Sequence, residues 1–204
     1  MHPNAFLDFL ERTLSSPESH FLWLQSISYL EFVGYRKMVK ALPYELVERE
    51  VFNHLKDEIY HSFLLRESSA KNFPQLALPP VIMKKMTDVC ESYFQSLDHQ
   101  TENWVAKKMG EKNSFFCYLS VSHIIEKRAM QVYPQYAAAL RSSPMKPLIQ
   151  QIIRDESEHL LSLEKRMKPW SSLTNSFPFE TEAVLFETYL GQMEELSTEW
   201  KKTL

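Results

Sequence analysis

Apolar residues recur along this chain at spacings of three and four, and the recurrence breaks at prolines and at short Ser/Asn clusters. That period belongs to amphipathic helices, whereas a half-buried strand alternates every second residue. The pattern predicts seven helices, over about 5–15, 18–42, 44–71, 80–109, 113–140, 145–167 and 179–203. The second follows "SSPESH", with Ser16 as a cap and Pro17 just inside. It stops before Pro43, and the third helix starts near Tyr44. Gly110 closes the fourth helix. "NFPQLALPP", "RSSPMKP" and "KPWSSLTNSFPF" read as connections. Nothing resembles a linker, so residues 1–204 are expected to form one all-α domain.

Four of these helices carry an apolar row that is interrupted near its middle. The rows are Leu24, Ile27, Glu31, Gly34, Met38; Val51, His54, Glu58, His61, Leu65; Phe116, Leu119, His123, Glu126, Met130, Tyr133; and Ile149, Ile152, Glu156, His159, Leu163. Burying an isolated carboxylate costs several kcal/mol, and several together repel one another. Such groups persist in a core when they are protonated, paired with cations, or bound to metal. Glu and His three residues apart lie on one helix face, about 4.5 Å apart along the axis, and can reach one ion.

The sequence contains Asp-Glu-x-x-His twice, in "KDEIYH" (56–61) and "RDESEH" (154–159). With 21 glutamates and 7 histidines in 204 residues, chance supplies about 0.7 Glu-x-x-His matches. Each match follows a single row glutamate at a similar separation, 27 residues from Glu31 to Glu58 and 30 from Glu126 to Glu156. The two halves therefore read as pseudo-repeats of one helical hairpin. Glu31, Glu58, His61, Glu126, Glu156 and His159 are the candidate ligands, four carboxylates and two imidazoles that nearly balance two divalent cations. His54 and His123, one turn before a row glutamate, are candidates for an additional role.

This arrangement resembles the ferritin-like di-iron carboxylate superfamily, in which two helices of a four-helix bundle give one Glu each and two give Glu-x-x-His. The resemblance covers about 18–71 and 113–167. It implies a four-helix bundle with an extra helix (80–109) between the hairpins and a further helix at the C-terminal end. It implies two iron ions, or one manganese and one iron, with Glu58 and Glu156 as bridges. By the same analogy Asp155 orients His61 and Asp57 orients His159. The interposed helix is similar to the layout of ribonucleotide reductase small subunits and aldehyde-deformylating oxygenases. The reductase's radical tyrosine would fall at Leu65, and the chain is much shorter than a reductase subunit, which argues against that function. His54-x3-Glu58-x2-His61 also resembles the ligand helix of haem-oxygenase-like di-iron oxidases, a pattern in which the second Asp-Glu-x-x-His has no place.

The expected function is a non-haem oxidoreductase that activates dioxygen for oxidation of a small organic molecule, with an electron donor the sequence does not name. The alternatives are a ferroxidase or iron-handling protein, and a metal-free helical interaction protein with a degenerate site.

Composition narrows the field further. Only three glycines occur, and no Gly-rich phosphate loop exists. A net charge of −3 and pI near 6.2 argue against nucleic-acid partners. No stretch approaches a membrane span, and the N-terminus lacks a signal-peptide pattern. Cys90 and Cys117 fit a reducing compartment, so a cytoplasmic location is expected. Gly34, on the row of Glu31, serves either close helix packing or room for oxygen or substrate. His20 and His99 read as hydrogen-bonded, Tyr133 and Tyr118 as packing residues or, as the alternative, donors to ligands or participants in radical chemistry, and Arg128 as a helix-flank residue, paired or solvated. The last helix shows an apolar face and an acidic face; it packs on the bundle or, as the alternative, forms a homodimer contact.

Overall fold

The computed structural model describes residues 5–42, 45, 47–174 and 179–203. They form α1 (Ala5–Leu14), α2 (Pro17–Ala41), α3 (Arg49–Asn72), α4 (Pro80–Met109), α5 (Ser114–Ala139), α6 (Lys146–Met167), α7 (Ser171–Thr174) and α8 (Phe179–Lys201). No strand occurs among the described residues, and no helix there is long and apolar enough to cross a membrane.

Local chemistry sets several ends. Ser16, in extended conformation, accepts a hydrogen bond from the Ser19 amide, and Pro17 occupies the first turn of α2. Asn113 accepts from the Phe116 amide at 2.8 Å to start α5. Gly110 ends α4 with φ 76°, a left-handed conformation that favours glycine. Two expectations need correction. The third helix starts at Arg49 and not near Tyr44, because Glu48 is extended and acts as its cap; Pro43 and Tyr44 lie outside the described residues. The segment after α6, read as loop, holds a 3₁₀ turn (Lys168–Trp170) and α7, and its residues 175–178 lie outside the described part.

Helices α2, α3, α5 and α6 touch in a ring: α2 with α3, α3 with α6, α6 with α5, and α5 with α2. Within the α2–α3 pair, Gln25 meets Ser69, Ser28 meets Ser62, and Gly34 faces Glu58. Residue numbers rise on one helix as they fall on the other, so the pair is antiparallel. On another side α4 covers α2 and α5, and α8 lies on α4 and α2.

The apolar core falls into two clusters along the four helices. One contains Trp23, Ile27, Leu65, Tyr136, Ile149 and Ile152; the other contains Met38, Val51, Phe116, Leu119 and Leu163. On every one of the four helices the residues between the two clusters are the interrupted part of the row. The fold therefore stacks four polar mid-helix segments at one level, with apolar packing above and below.

The last helix packs on the bundle, as its apolar face led one to expect, and it buries one of its acidic residues: Glu182 of α8 is 3% exposed. Arg128 of α5 holds it through two hydrogen bonds of 2.9 and 2.5 Å, and the Tyr93 hydroxyl of α4 donates to the same carboxylate at 2.7 Å. Arg128 is thus a half-buried fastener between α5 and α8.

Candidate metal centre

The mid-helix level gathers all six candidate ligands and one of the two additional histidines. Two groups of four donors form, and in each group the donor atoms lie within 4.8 Å of one another. The first comprises Glu31, Glu58, His61 and Glu156; the second comprises His54, Glu58, Glu126 and His159. Glu58 belongs to both. Glu156 also spans them, with Oε1 3.1 Å from His61 Nδ1 and Oε2 2.9 Å from His159 Nδ1.

Each Asp-Glu-x-x-His histidine is gripped from behind by the aspartate of the other motif. His61 Nε2 lies 3.0 Å from Asp155 Oδ2, and His159 Nε2 lies 3.5 Å from Asp57 Oδ2. On a neutral imidazole, a carboxylate at Nε2 favours the proton on that nitrogen and leaves Nδ1, which is turned toward the glutamates, as the lone pair for a metal ion.

His54 enters from α3, one turn before Glu58. Its Nε2 lies 2.9 Å from Glu126 Oε1 and 3.3 Å from Glu58 Oε1, and its ring stacks on His159 with centroids 3.9 Å apart. His123 does not join. It faces Glu164 at 3.7 Å and the Phe179 ring at 6.1 Å, outside both donor groups.

Gly34 is explained by Glu58: a Cβ at position 34 would stand 2.9 Å from Glu58 Oε2. The glycine makes room for a carboxylate, a use distinct from plain helix packing. Of the two readings of Tyr133, packing and donation to a ligand, the structure shows the second: its hydroxyl donates to Glu31 Oε1. Its place on the same row as Glu126, seven residues on and facing the same interior, is the signal that marks it.

The electrostatics of the cluster are strained. Burial drives the Glu31 carboxyl well above its usual range, reinforced by repulsion from Glu58 and Glu156. Glu126 moves the same way, through burial and then Glu156 and Glu58. Burial also opposes charge on Glu156, but the hydrogen bond with His159 and the close His61 imidazole outweigh it and hold Glu156 well below the ordinary range. Burial pulls the His61 imidazolium down, while Glu156, Glu31 and Glu58 raise it by more, to about 10. His159 is raised for the same reasons. Protons thus partly compensate a charge excess that the fold creates.

Hydrogen bonding does not satisfy the cluster. Three buried atoms that face it, His54 Nε2, His61 Nδ1 and Glu156 Oε1, have no aligned hydrogen-bond partner. Orphaned buried groups of this kind cost about 1–3 kcal/mol each. Carboxylate oxygens with imidazole nitrogens form a donor set that could hold a metal ion, and the orphaned atoms fit that use.

Compared with known protein families, curated protein sequences and solved structures, the chain matches none. The reading of the site therefore rests on its geometry.

Two spaces adjoin the cluster. A cleft of about 510 Å³ opens between α2, α4 and α5; its floor is His54, Glu58 and Glu126. Met38, Phe94, Val121 and Ile125 line it, and Lys37, Lys40, Asp98, Glu102 and Lys112 also border it. On another side a cavity of about 70 Å³ touches Glu31, Glu58, Glu126 and Glu156, with walls that include Trp23, Ile27, Leu30, Val132 and Phe186.

Proposed function

We propose that this chain is a ferritin-like, dinuclear metal-dependent oxidoreductase that uses dioxygen to oxidise a small organic molecule. The observation that carries the proposal is the pair of four-donor groups sharing Glu58, with unpartnered buried atoms aimed into them. Glu31, Glu58, His61 and Glu156 hold one ion; His54, Glu58, Glu126 and His159 hold the other. The ions are two iron, or manganese and iron. Bound in this way, iron supplies the electrons that reduce dioxygen, and the carboxylates favour its oxidised state.

The protein residues have separate tasks. Asp155 and Asp57 keep Nδ1 of His61 and His159 available. Tyr133 holds Glu31 by its hydroxyl, which fixes the carboxylate and keeps a proton at that oxygen. The apolar walls of the small cavity exclude water from the carboxylates. The cleft admits substrate to the floor made by His54, Glu58 and Glu126. Its size supports an organic substrate over the alternative of iron oxidation alone, which requires only passage of an ion.

The test is metal content per chain by elemental analysis, on protein purified without chelator from iron-supplemented cells, with Glu126→Ala in parallel. About two metal ions per wild-type chain, falling sharply in the variant, is the expected result. A wild-type protein that stays well below one ion after reconstitution overturns the proposal and moves the metal-free interaction protein to the front.

A further inference from the structure

The two donor groups are not copies of each other, although the two sequence halves share the Asp-Glu-x-x-His motif. The first has three carboxylates and one imidazole; the second has two carboxylates and two imidazoles. His54 makes the difference. It is 6% exposed, its Nε2 has no hydrogen-bond partner, and that atom faces Glu126 and Glu58. In the other half, His123 sits one turn before Glu126 but faces Glu164. The surroundings differ as well. The larger cleft, of about 510 Å³, reaches His54, Glu58 and Glu126 and touches neither Glu31, His61 nor Glu156, whereas the space that touches Glu31 and Glu156 is only about 70 Å³ and walled largely by apolar side chains.

We infer that the two metal positions are unequal by construction: the His54 position prefers a nitrogen-seeking divalent ion and is the one exposed to exogenous ligands, and the Glu31 position takes a harder, oxygen-seeking ion. The inference rests on the proposed metal site and specifies it. Two effects compete in setting the order of filling. The Glu31 position has one more carboxylate, which favours any cation by charge. The His54 position has one more imidazole, which favours ions late in the divalent series. Charge acts alike on Mn(II) and Co(II), but the imidazole does not, because Mn(II) gains least from nitrogen donors. The separation between the two positions therefore depends on the metal. It is wide for Co(II), which fills the His54 position first, and narrow for Mn(II). A mixture of the two sorts itself, with cobalt against the cleft and manganese on the Glu31 side.

The experiment is an anaerobic titration of metal-free protein with Co(II), followed by its visible absorption bands, on wild type, His54→Ala and the similarly sized His54→Gln. Circular dichroism melting on each sample shows that the variants are folded. Loss of a partner behind a metal-bound histidine already costs about 10–100-fold in metal affinity, so loss of a direct ligand should cost at least tenfold. Wild type is expected to bind its first Co(II) at least about tenfold more tightly than its second. Both variants are expected still to bind two ions but to take the first Co(II) at the Glu31 position, which keeps its additional carboxylate, so that azide no longer alters the bands of their one-cobalt form; with Mn(II) the separation is small in wild type. Azide added to wild type carrying one Co(II) should alter the visible bands. Equal binding of two Co(II) ions in wild type, one-cobalt bands of wild type unmoved by azide, or one-cobalt bands of both folded variants that azide still alters each overturn the inference while leaving the dinuclear site in place. Wild type that binds no Co(II) and no Mn(II) overturns the dinuclear site itself, so the two failures are distinct.

Discussion

A methyl group at position 34 would sit 2.9 Å from Glu58 Oε2, inside van der Waals contact. Glu58 is shared by both donor groups, so displacing it disturbs both. Gly34→Ala is therefore expected to weaken metal binding by tenfold or more. In the metal-free state the same change should raise helix stability by up to about 1 kcal/mol, because alanine is the better helix former. Metal titration and urea unfolding of one variant should thus move in opposite directions; parallel losses would show that the glycine serves packing. Asp155→Ala removes the acceptor 3.0 Å from His61 Nε2. Metal affinity should fall about 10–100-fold, with little change in the melting temperature of metal-free protein, since Asp155 is partly exposed.

His20 acts far from the cluster. It is buried against the Tyr136 hydroxyl at 2.6 Å, and burial lowers its pKa from 6.5 to about 4. The unfolded chain takes up its proton first, so stability present above pH 6.5 is lost as pH falls toward 4. Each pH unit in that window removes up to about 1.4 kcal/mol. His20→Gln should flatten the decline between pH 6.5 and pH 4.5 in melting scans; an unchanged slope would assign the acid sensitivity to other groups.

At the scale of elements, α8 is tied to the bundle by chemistry that its amphipathic pattern conceals. Arg128, Glu182 and Tyr93 join α5, α8 and α4 through hydrogen bonds of 2.5–2.9 Å, and Arg128 also lies over the Phe186 ring. Removing one partner of a buried ion pair costs about 3–5 kcal/mol, and replacing both by apolar residues costs far less. Glu182→Leu alone should lower unfolding stability by that amount, and adding Arg128→Met should restore much of it, as read by chemical denaturation. A double variant as unstable as the sum of the singles would show that the two residues act independently. The same three residues account for the burial of one carboxylate of an otherwise acidic helix face. A carboxylate enters a helix–helix interface when a guanidinium from another helix meets it, and that guanidinium lies 54 residues away in sequence.

Across the whole molecule, the cluster exchanges protons for cations. His61 is held protonated up to about pH 10, and His159 is shifted the same way. In the metal-free protein these groups add stability that is fully present below pH 6.5 and is lost as pH rises through their folded values. Metal binding requires neutral imidazoles and releases those protons. The difference in melting temperature between Mn(II)-loaded and metal-free protein should therefore widen as pH rises from 6.5 to 8. A constant difference would mean that the histidines are not ligands.

The helices and the position of each candidate donor along them were legible in the sequence. Apolar spacing, capping residues and the doubled Asp-Glu-x-x-His are local signals, and helix geometry converts them directly into faces and heights. The structure sets the expected aspartates behind the expected histidines for the same reason: pseudo-repeated motifs at matched heights must face one another once the hairpins pack. The sequence does not choose between His54 and His123. His54 precedes Glu58 by four residues and His123 precedes Glu126 by three, so at about 100° per residue they fall on opposite sides of their glutamates. His61 shares the side of His54, a hint that α3 turns it inward, but α5 offers no such reference. Helix rotation about its own axis decides which side looks in, and that rotation is fixed by packing among α2, α4, α5, α6 and α8. The Tyr133–Glu31 bond, the Arg128–Glu182–Tyr93 fastener, the cleft over His54 and the inequality of the two donor groups arise at that level. They depend on residues brought together from distant parts of the chain, and only the tertiary structure could place them.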